Sequence, residues 1–204
     1  MVELQSINVT SRSYRDKLID IDLQAIAQEV NNISPNPPSY AVYTAVLSQS
    51  GGDTPMFISS GELTIGVTYY INESFAEMDF TNVGAPNNDF GTYFVAIGTT
   101  PNNWGIRGEN TLMYNEGAPI ATVLENTLGE IYWTWDSTGF YTGHSDALFA
   151  ENKSFALISG STMGAIVTNI SPYDASNILI VASDSEGYRE DFFACVEIRV
   201  YKTK

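Results

Sequence analysis

The residues whose types could do chemistry are few: one histidine, one cysteine and some neighbouring carboxylates. His144 stands in Tyr141-Thr142-Gly143-His144-Ser145-Asp146. A nucleophilic triad needs a hydroxyl or thiol held against the imidazole and an acid orienting it from behind. Serine and aspartate as chain neighbours do not supply that geometry, so His144 reads as a loop histidine without a special role. Zinc requires several nitrogen or sulfur ligands, and one His with one Cys falls short. Cys195 has no intrachain disulfide partner, and its apolar alternating surroundings predict a buried, inert thiol. The pairs Asp184/Glu186 and Glu190/Asp191 resemble in number the two carboxyls of a glycosidase. With 24 acidic residues in the chain such pairs are inevitable, and they read as solvated turns. Neither they nor Asn87-Asn88-Asp89 follow the spacing of a calcium loop. No catalytic, cofactor-binding or metal-binding residue is assigned, and the chain reads as non-enzymatic.

Charge narrows the partners. A formal net charge of −15 and nine scattered basic residues leave no cationic patch to displace counterions from nucleic acid. The same balance disfavours anionic lipid surfaces. It suits solubility and mutual repulsion of copies at high local concentration. No apolar run is long enough to span a bilayer, and the opening Met-Val-Glu-Leu-Gln lacks the pattern of a secretory signal. A soluble protein made in a cytoplasm is expected.

The elements that would position these residues fall into a short helical part and a long β part. Ile19, Leu23, Ile26, Val30 and Ile33 recur at spacings of a coiled-coil seam, which predicts a helix from about 13 to 33. So short a helix is marginal alone and must bury its stripe. Its own β-domain, a bundle of copies or a partner groove would each serve. Ser34-Pro35-Asn36-Pro37-Pro38-Ser39 ends the helix in a stiff spacer. From Tyr40 onward, aromatic and β-branched runs alternate with Gly, Asn, Asp and Pro turns. The expected fold is all-β: an antiparallel β-sandwich or barrel-like domain carrying an inserted smaller β-module, preceded by a short N-terminal α-helix. The expected division is an anchor or oligomerisation region at 1–34, a spacer at 35–39, an outer domain at 40–55 plus 117–204, and the insert at 56–116. Insertion of a whole module is best tolerated at an exposed loop tip.

Three tryptophans and twelve tyrosines offer flat surfaces for sugar rings. Trp133 and Trp135 alternate with Tyr132 and Thr134, so they are expected to fill a sheet face. Asn102, Asn103 and Trp104, in a turn of the insert, are the candidate surface contact for a host surface or a neighbouring subunit.

Two sets of strings also carry a resemblance. Gln49-Ser50-Gly51-Gly52-Asp53-Thr54-Pro55 joined to residues 118–129 (APIATVLENTLG), followed by Trp133-Thr134-Trp135, Gly139-Phe140-Tyr141 and Val196-Glu197-Ile198-Arg199-Val200-Tyr201, resembles virion structural proteins of tailed phages infecting Bacteroidota. Within the insert, Gly66-Val67-Thr68-Tyr69-Tyr70-Ile71 and Phe94-Val95-Ala96-Ile97-Gly98-Thr99-Thr100-Pro101 with Trp104 is similar to a separate module of phage tail and capsid-associated proteins. In the usual outer phrase the two halves run together, so the insertion is a departure. The resemblance covers roughly residues 40–201. It implies a head fibre, capsid decoration protein or tail fibre, located in the virion, with other virion proteins as partners. Homo-oligomers, with a trimer favoured, and a host cell-surface glycan as a further partner belong to the same expectation. It supplies no binding residues.

Overall fold

The computed structural model describes residues 40–105, 110–159, 166–184, 186–188 and 191–202. The expected helix and its stripe of Ile19, Leu23, Ile26, Val30 and Ile33 lie outside the described residues. The described chain is all-β, with thirteen strands and a single 3-10 turn at Thr81–Val83. The strands are β1 (Tyr40–Gln49), β2 (Pro55–Ile58), β3 (Thr68–Ile71), β4 (Tyr93–Val95), β5 (Leu112–Asn115), β6 (Ile120–Asn126) and β7 (Tyr132–Ser137). They continue with β8 (Phe140–His144), β9 (Ser154–Ser159), β10 (Ile166–Pro172), β11 (Asn177–Asp184), β12 (Gly187–Tyr188) and β13 (Phe192–Tyr201).

Three antiparallel sheets result. The first has the order β6-β1-β13-β9, and the second β10-β11-β8-β7 with β12 added beside β11. Their apolar positions alternate, as strands with one buried face require. Tyr43, Ala45 and Leu47 of β1 and Ala194, Val196 and Ile198 of β13 point inward. They meet Trp133, Tyr141, Ile178 and Ile180 from the second sheet in one hydrophobic core. The third sheet, β2-β5-β3-β4, belongs to the inserted stretch. It has a separate core of Tyr69, Ile71, Phe80, Phe94 and Leu112.

Two expectations need correction. His144 is no loop residue; it ends β8, paired with Tyr132 on one side and Asn177 on the other. Cys195 is exposed. The reason is parity: Val196 and Ile198 face the core, so the alternate positions Phe193, Cys195 and Glu197 must face out.

The inserted stretch leaves at the end of β1 and returns at the start of β6, which pair as antiparallel neighbours with Ser48 beside Ile120, so it is carried at the tip of that hairpin. It lies along the host's edge strands β6 and β7, and supplies partners for backbone groups that those edges would otherwise leave open. The Ala121 N–H of β6 donates to the Gly66 carbonyl at 3.0 Å. The Trp133 N–H of β7 donates to Thr68 Oγ1 at 3.2 Å. Where the insert departs and returns, buried Gln49 holds both crossings. Its Nε2 donates to the Gly51 and Gly117 carbonyls, and its Oε1 accepts from the Asp191 N–H. A buried amide with all these partners satisfied welds chain segments that are far apart in sequence.

Candidate functional site

A cleft of about 230 Å³ opens at the seam between host and insert. Tyr70, Tyr93, Met113 and Tyr114 come from the insert, while Trp133, Thr134 and Trp135 come from β7. Period-two alternation places Trp133 in the core, fully buried. Half-buried Trp135 packs against the same core from its margin. Trp135 Nε1 is buried without a hydrogen-bond partner, as is Thr111 Oγ1 of the insert.

An aromatic stack runs across the seam beside this cleft. Tyr93 of the insert lies on Tyr132 of β7, with centroids 4.9 Å apart and planes inclined by 2°. Tyr132 in turn lies on the His144 ring at 4.8 Å, and Tyr70 closes on Tyr93 at 4.7 Å. Rings stacked in this way cover each other's faces, so Tyr132 has none left for a sugar. The stack joins two modules and contributes packing as other aromatic pairs do. Burial pushes the hydroxyls of Tyr93 and Tyr132 above their ordinary range. Glu130 is pushed up by burial as well, opposed by a hydrogen bond from the Val95 backbone.

His144 is held at both ring nitrogens. Nε2 meets Thr134 Oγ1 at 2.8 Å and Nδ1 meets Asn177 Oδ1 at 2.8 Å. Asn177 turns its amide nitrogen to both oxygens of Asp174. A carboxylate only accepts, so that contact fixes the amide's orientation and leaves its oxygen toward the imidazole, whose Nδ1 therefore carries the proton. Ser145 is engaged with backbone: its N–H donates to the Ser176 carbonyl, and its Oγ accepts from the Leu148 N–H. The arrangement ties β7, β8 and β11 together, and the hydroxyl held against the imidazole is that of Thr134, not Ser145. The Asp184/Glu186 pair forms a turn in which Asp184 Oδ1 accepts the N–H groups of Glu186 and Gly187. Among the described residues no group of three or more His, Cys, Asp or Glu could hold a metal ion. No helix among them is long and apolar enough to cross a membrane.

The candidate contact in the insert is split. Asn102 and Asn103 are exposed, whereas Trp104 is half-buried and meets Phe80 edge-on at 5.2 Å. The expectation that Trp104 offers a free face is thus corrected: hydrophobic burial against the insert's core draws it in. The asparagines serve the turn. The Asn102 amide nitrogen donates to Asp79 Oδ2 at 2.9 Å, and the Asn103 backbone pairs with Asp79.

Asp79 also accepts from the Thr81 hydroxyl and N–H. The Thr81 hydroxyl, the Asn102 amide and the Thr81 N–H together lower its pKa from 3.8 to about 2. A depressed carboxylate stabilises the fold above its unfolded pKa, and that contribution fades as pH falls through the folded one. Asp79→Asn should therefore lower the thermal midpoint at pH 5–7, with the difference from the parent shrinking between about pH 4 and pH 2. Parallel calorimetric scans across that range provide the check, and a difference independent of pH would contradict the assignment.

Comparison with family models, with curated proteins and with solved structures finds no match to this chain.

Proposed function

We propose that the chain is a non-enzymatic structural component of a phage virion, anchored by its N-terminal region and displaying a β-sandwich with a docked insert. The observation that carries this reading is the welded seam. Gln49, Gly66, Thr68 and the Tyr93–Tyr132 stack turn two β-modules into a rigid block. That block belongs to the unit of residues 40–204. Polar groups that could serve chemistry are spent on holding strands, as at His144 and Asp184. The string resemblance over residues 40–201 supplies the virion context. An acidic, rigid body suits a surface crowded with copies, where like charges keep neighbours apart.

Particles purified from infected cells should contain the chain at a fixed ratio to the main shell or tail protein, measured by quantitative mass spectrometry. Removing residues 1–39 should abolish incorporation while the body still folds. Absence from washed particles would refute the virion role. A second reading, host glycan binding, is favoured by the aromatic walls of the seam cleft and the unpartnered Trp135 donor. It requires saturable binding of host surface polysaccharide by the full chain.

A further inference from the structure

The outer face of the second sheet carries a hollow of about 260 Å³, separate from the seam cleft. Its lining is Thr142, His144, Tyr173, Asn177 and Leu179. Trp133, Tyr141, Ile178 and Ile180 turn inward to the core, so the alternate positions on these strands face out. Register sets Tyr132, His144 and Asn177 in one row across the sheet, and Thr134, Thr142 and Leu179 in the next. Tyr173 stands at the turn joining β10 to β11, where its backbone N–H donates to the Asn177 carbonyl at 2.8 Å. It is 76% exposed, and none of the aromatic pairs among the described residues includes its ring.

The polar side chains of this face are locked, although water could satisfy them. The Thr134 hydroxyl donates to His144 Nε2, the Nδ1–H donates to Asn177 Oδ1, and the Asn177 amide nitrogen donates to Asp174. Thr142 Oγ1 donates to Asp136 Oδ2. Tyr132 covers one face of the imidazole. Holding solvent-facing side chains in one geometry costs rotamer entropy and adds little stability. It suits a binding site, because groups fixed in advance lose little more when a ligand arrives.

Chemistry identifies the ligand. The hydroxyl and imidazole protons of this network are used up within it, and lone pairs remain on Thr142 Oγ1, Asp136 and Asp174. A partner must therefore bring its own donors. Leu179 and the open ring of Tyr173 call for an apolar face as well. The lining holds no carboxylate, so an ammonium group would lack a counter-charge at contact. Asp136 and Asp174 beside the hollow repel an anion. A sugar ring without charge combines hydroxyl donors with an apolar C–H face.

We propose that this hollow binds one residue of an uncharged pyranose, its C–H face on Tyr173 and its hydroxyls donating to Thr142 Oγ1 and the neighbouring carboxylates. The site rests on the glycan-binding reading, gives that reading a place on the second sheet, and restricts it to neutral sugars.

The test uses the isolated full chain, with glucose, galactose and mannose as probes and glucuronate and glucosamine as charged controls. Saturation-transfer NMR should show transfer to at least one neutral hexose and less to either charged sugar. Tyr173→Ala should keep the thermal midpoint and weaken the binding about tenfold, the scale of one aromatic contact. Titration of the unmodified chain needs no substitution, and its amide shifts should centre on Thr142, Asn177 and Leu179. No transfer to any of the three hexoses overturns the site. So do shifts centred on Met113 and Trp135 of the seam cleft, undiminished binding by folded Tyr173→Ala, or a preference for a charged sugar. In each of these cases the glycan-binding reading still stands where the full chain binds host polysaccharide, and it falls only where that binding is absent.

Discussion

Trp133→Ala is expected to destabilise the body by about 4 kcal/mol, the scale of emptying a well-packed core site of its largest side chain. Trp133 is fully buried, and its ring occupies the space where Gly143 has no Cβ. An added Cβ there would come within 2.8 Å of the ring, so the glycine and the indole fit each other. The indole Nε1 donates to the Tyr43 hydroxyl at 3.3 Å. Tyr43 is itself buried, and desolvation raises its pKa while the Trp133 contact opposes that rise. Truncation therefore leaves a cavity between the two host sheets and a buried hydroxyl without its donor, and the second loss adds to the first. For a unit of this size the thermal midpoint should fall by roughly 8–16 °C, at 2–4 °C per kcal/mol. Urea unfolding read by circular dichroism would measure the change. A loss below about 2 kcal/mol would mean that neighbouring side chains collapse into the site, contrary to the packing described.

Trp133 also shows which parts of the molecule could be read in advance. The alternation of Ile131, Trp133 and Trp135 against Tyr132 and Thr134 was sufficient to assign their faces, because a half-buried strand imposes a period of two. The same parity, applied one residue before Val196, places Cys195 outside; the apolar look of its surroundings concealed this. β8 is hard to read locally because Phe140-Tyr141-Thr142-Gly143-His144 carries a glycine mid-strand, which weakens any strand signal. That glycine answers to the ring of Trp133 on the neighbouring strand, a contact invisible to local pattern. β2 and β5 are four residues each and contain methionine, asparagine or proline, too short and mixed for alternation to register.

The candidate site was less legible than the fold for a physical reason. Its walls come from β3, β4 and β5 of the insert and from β7 of the host, and they meet through single contacts. Thr68 reaches Trp133 across 65 positions, and Gln49 reaches Gly117 across 68. Such contacts have no period and leave no trace in composition. Trp104 illustrates the converse: a Gly- and Asn-rich setting suggested exposure, yet hydrophobic burial against Phe80 decided its position. Short-range polarity describes a turn's backbone and says little about where its one large side chain goes.

Gly66→Val is expected to detach the insert from the host's edge while leaving the central core folded. Gly66 has a φ of +85°, and a Cβ there would lie 2.5 Å from the Ala121 carbonyl oxygen and 3.1 Å from Ile120 Cγ2. Both obstacles belong to β6, and the nearer one is backbone, which cannot swing aside as a flexible side chain would. Relief requires the insert to withdraw, which breaks the Ala121 N–H to Gly66 carbonyl bond and strains the neighbouring Trp133 to Thr68 contact. Gly61→Ala is the control. It too has a positive φ, +95°, but nothing lies within 4 Å of an added Cβ. It should cost only the left-handed backbone penalty of about 1–2 kcal/mol. Gly66→Ala, with the same backbone penalty plus the clash, should cost about 3 kcal/mol or more, and Gly66→Val more again, as steric overpacking adds about 1–3 kcal/mol. Hydrogen exchange should show the Ala121 and Trp133 amides losing protection, while those of Ile178 and Ile180 in the host core stay slow, as expected for local opening at a seam. Equal costs for Gly61→Ala and Gly66→Ala would show that the insert does not press on β6. Uniform loss of protection across both modules would show instead that the seam and the core unfold as one.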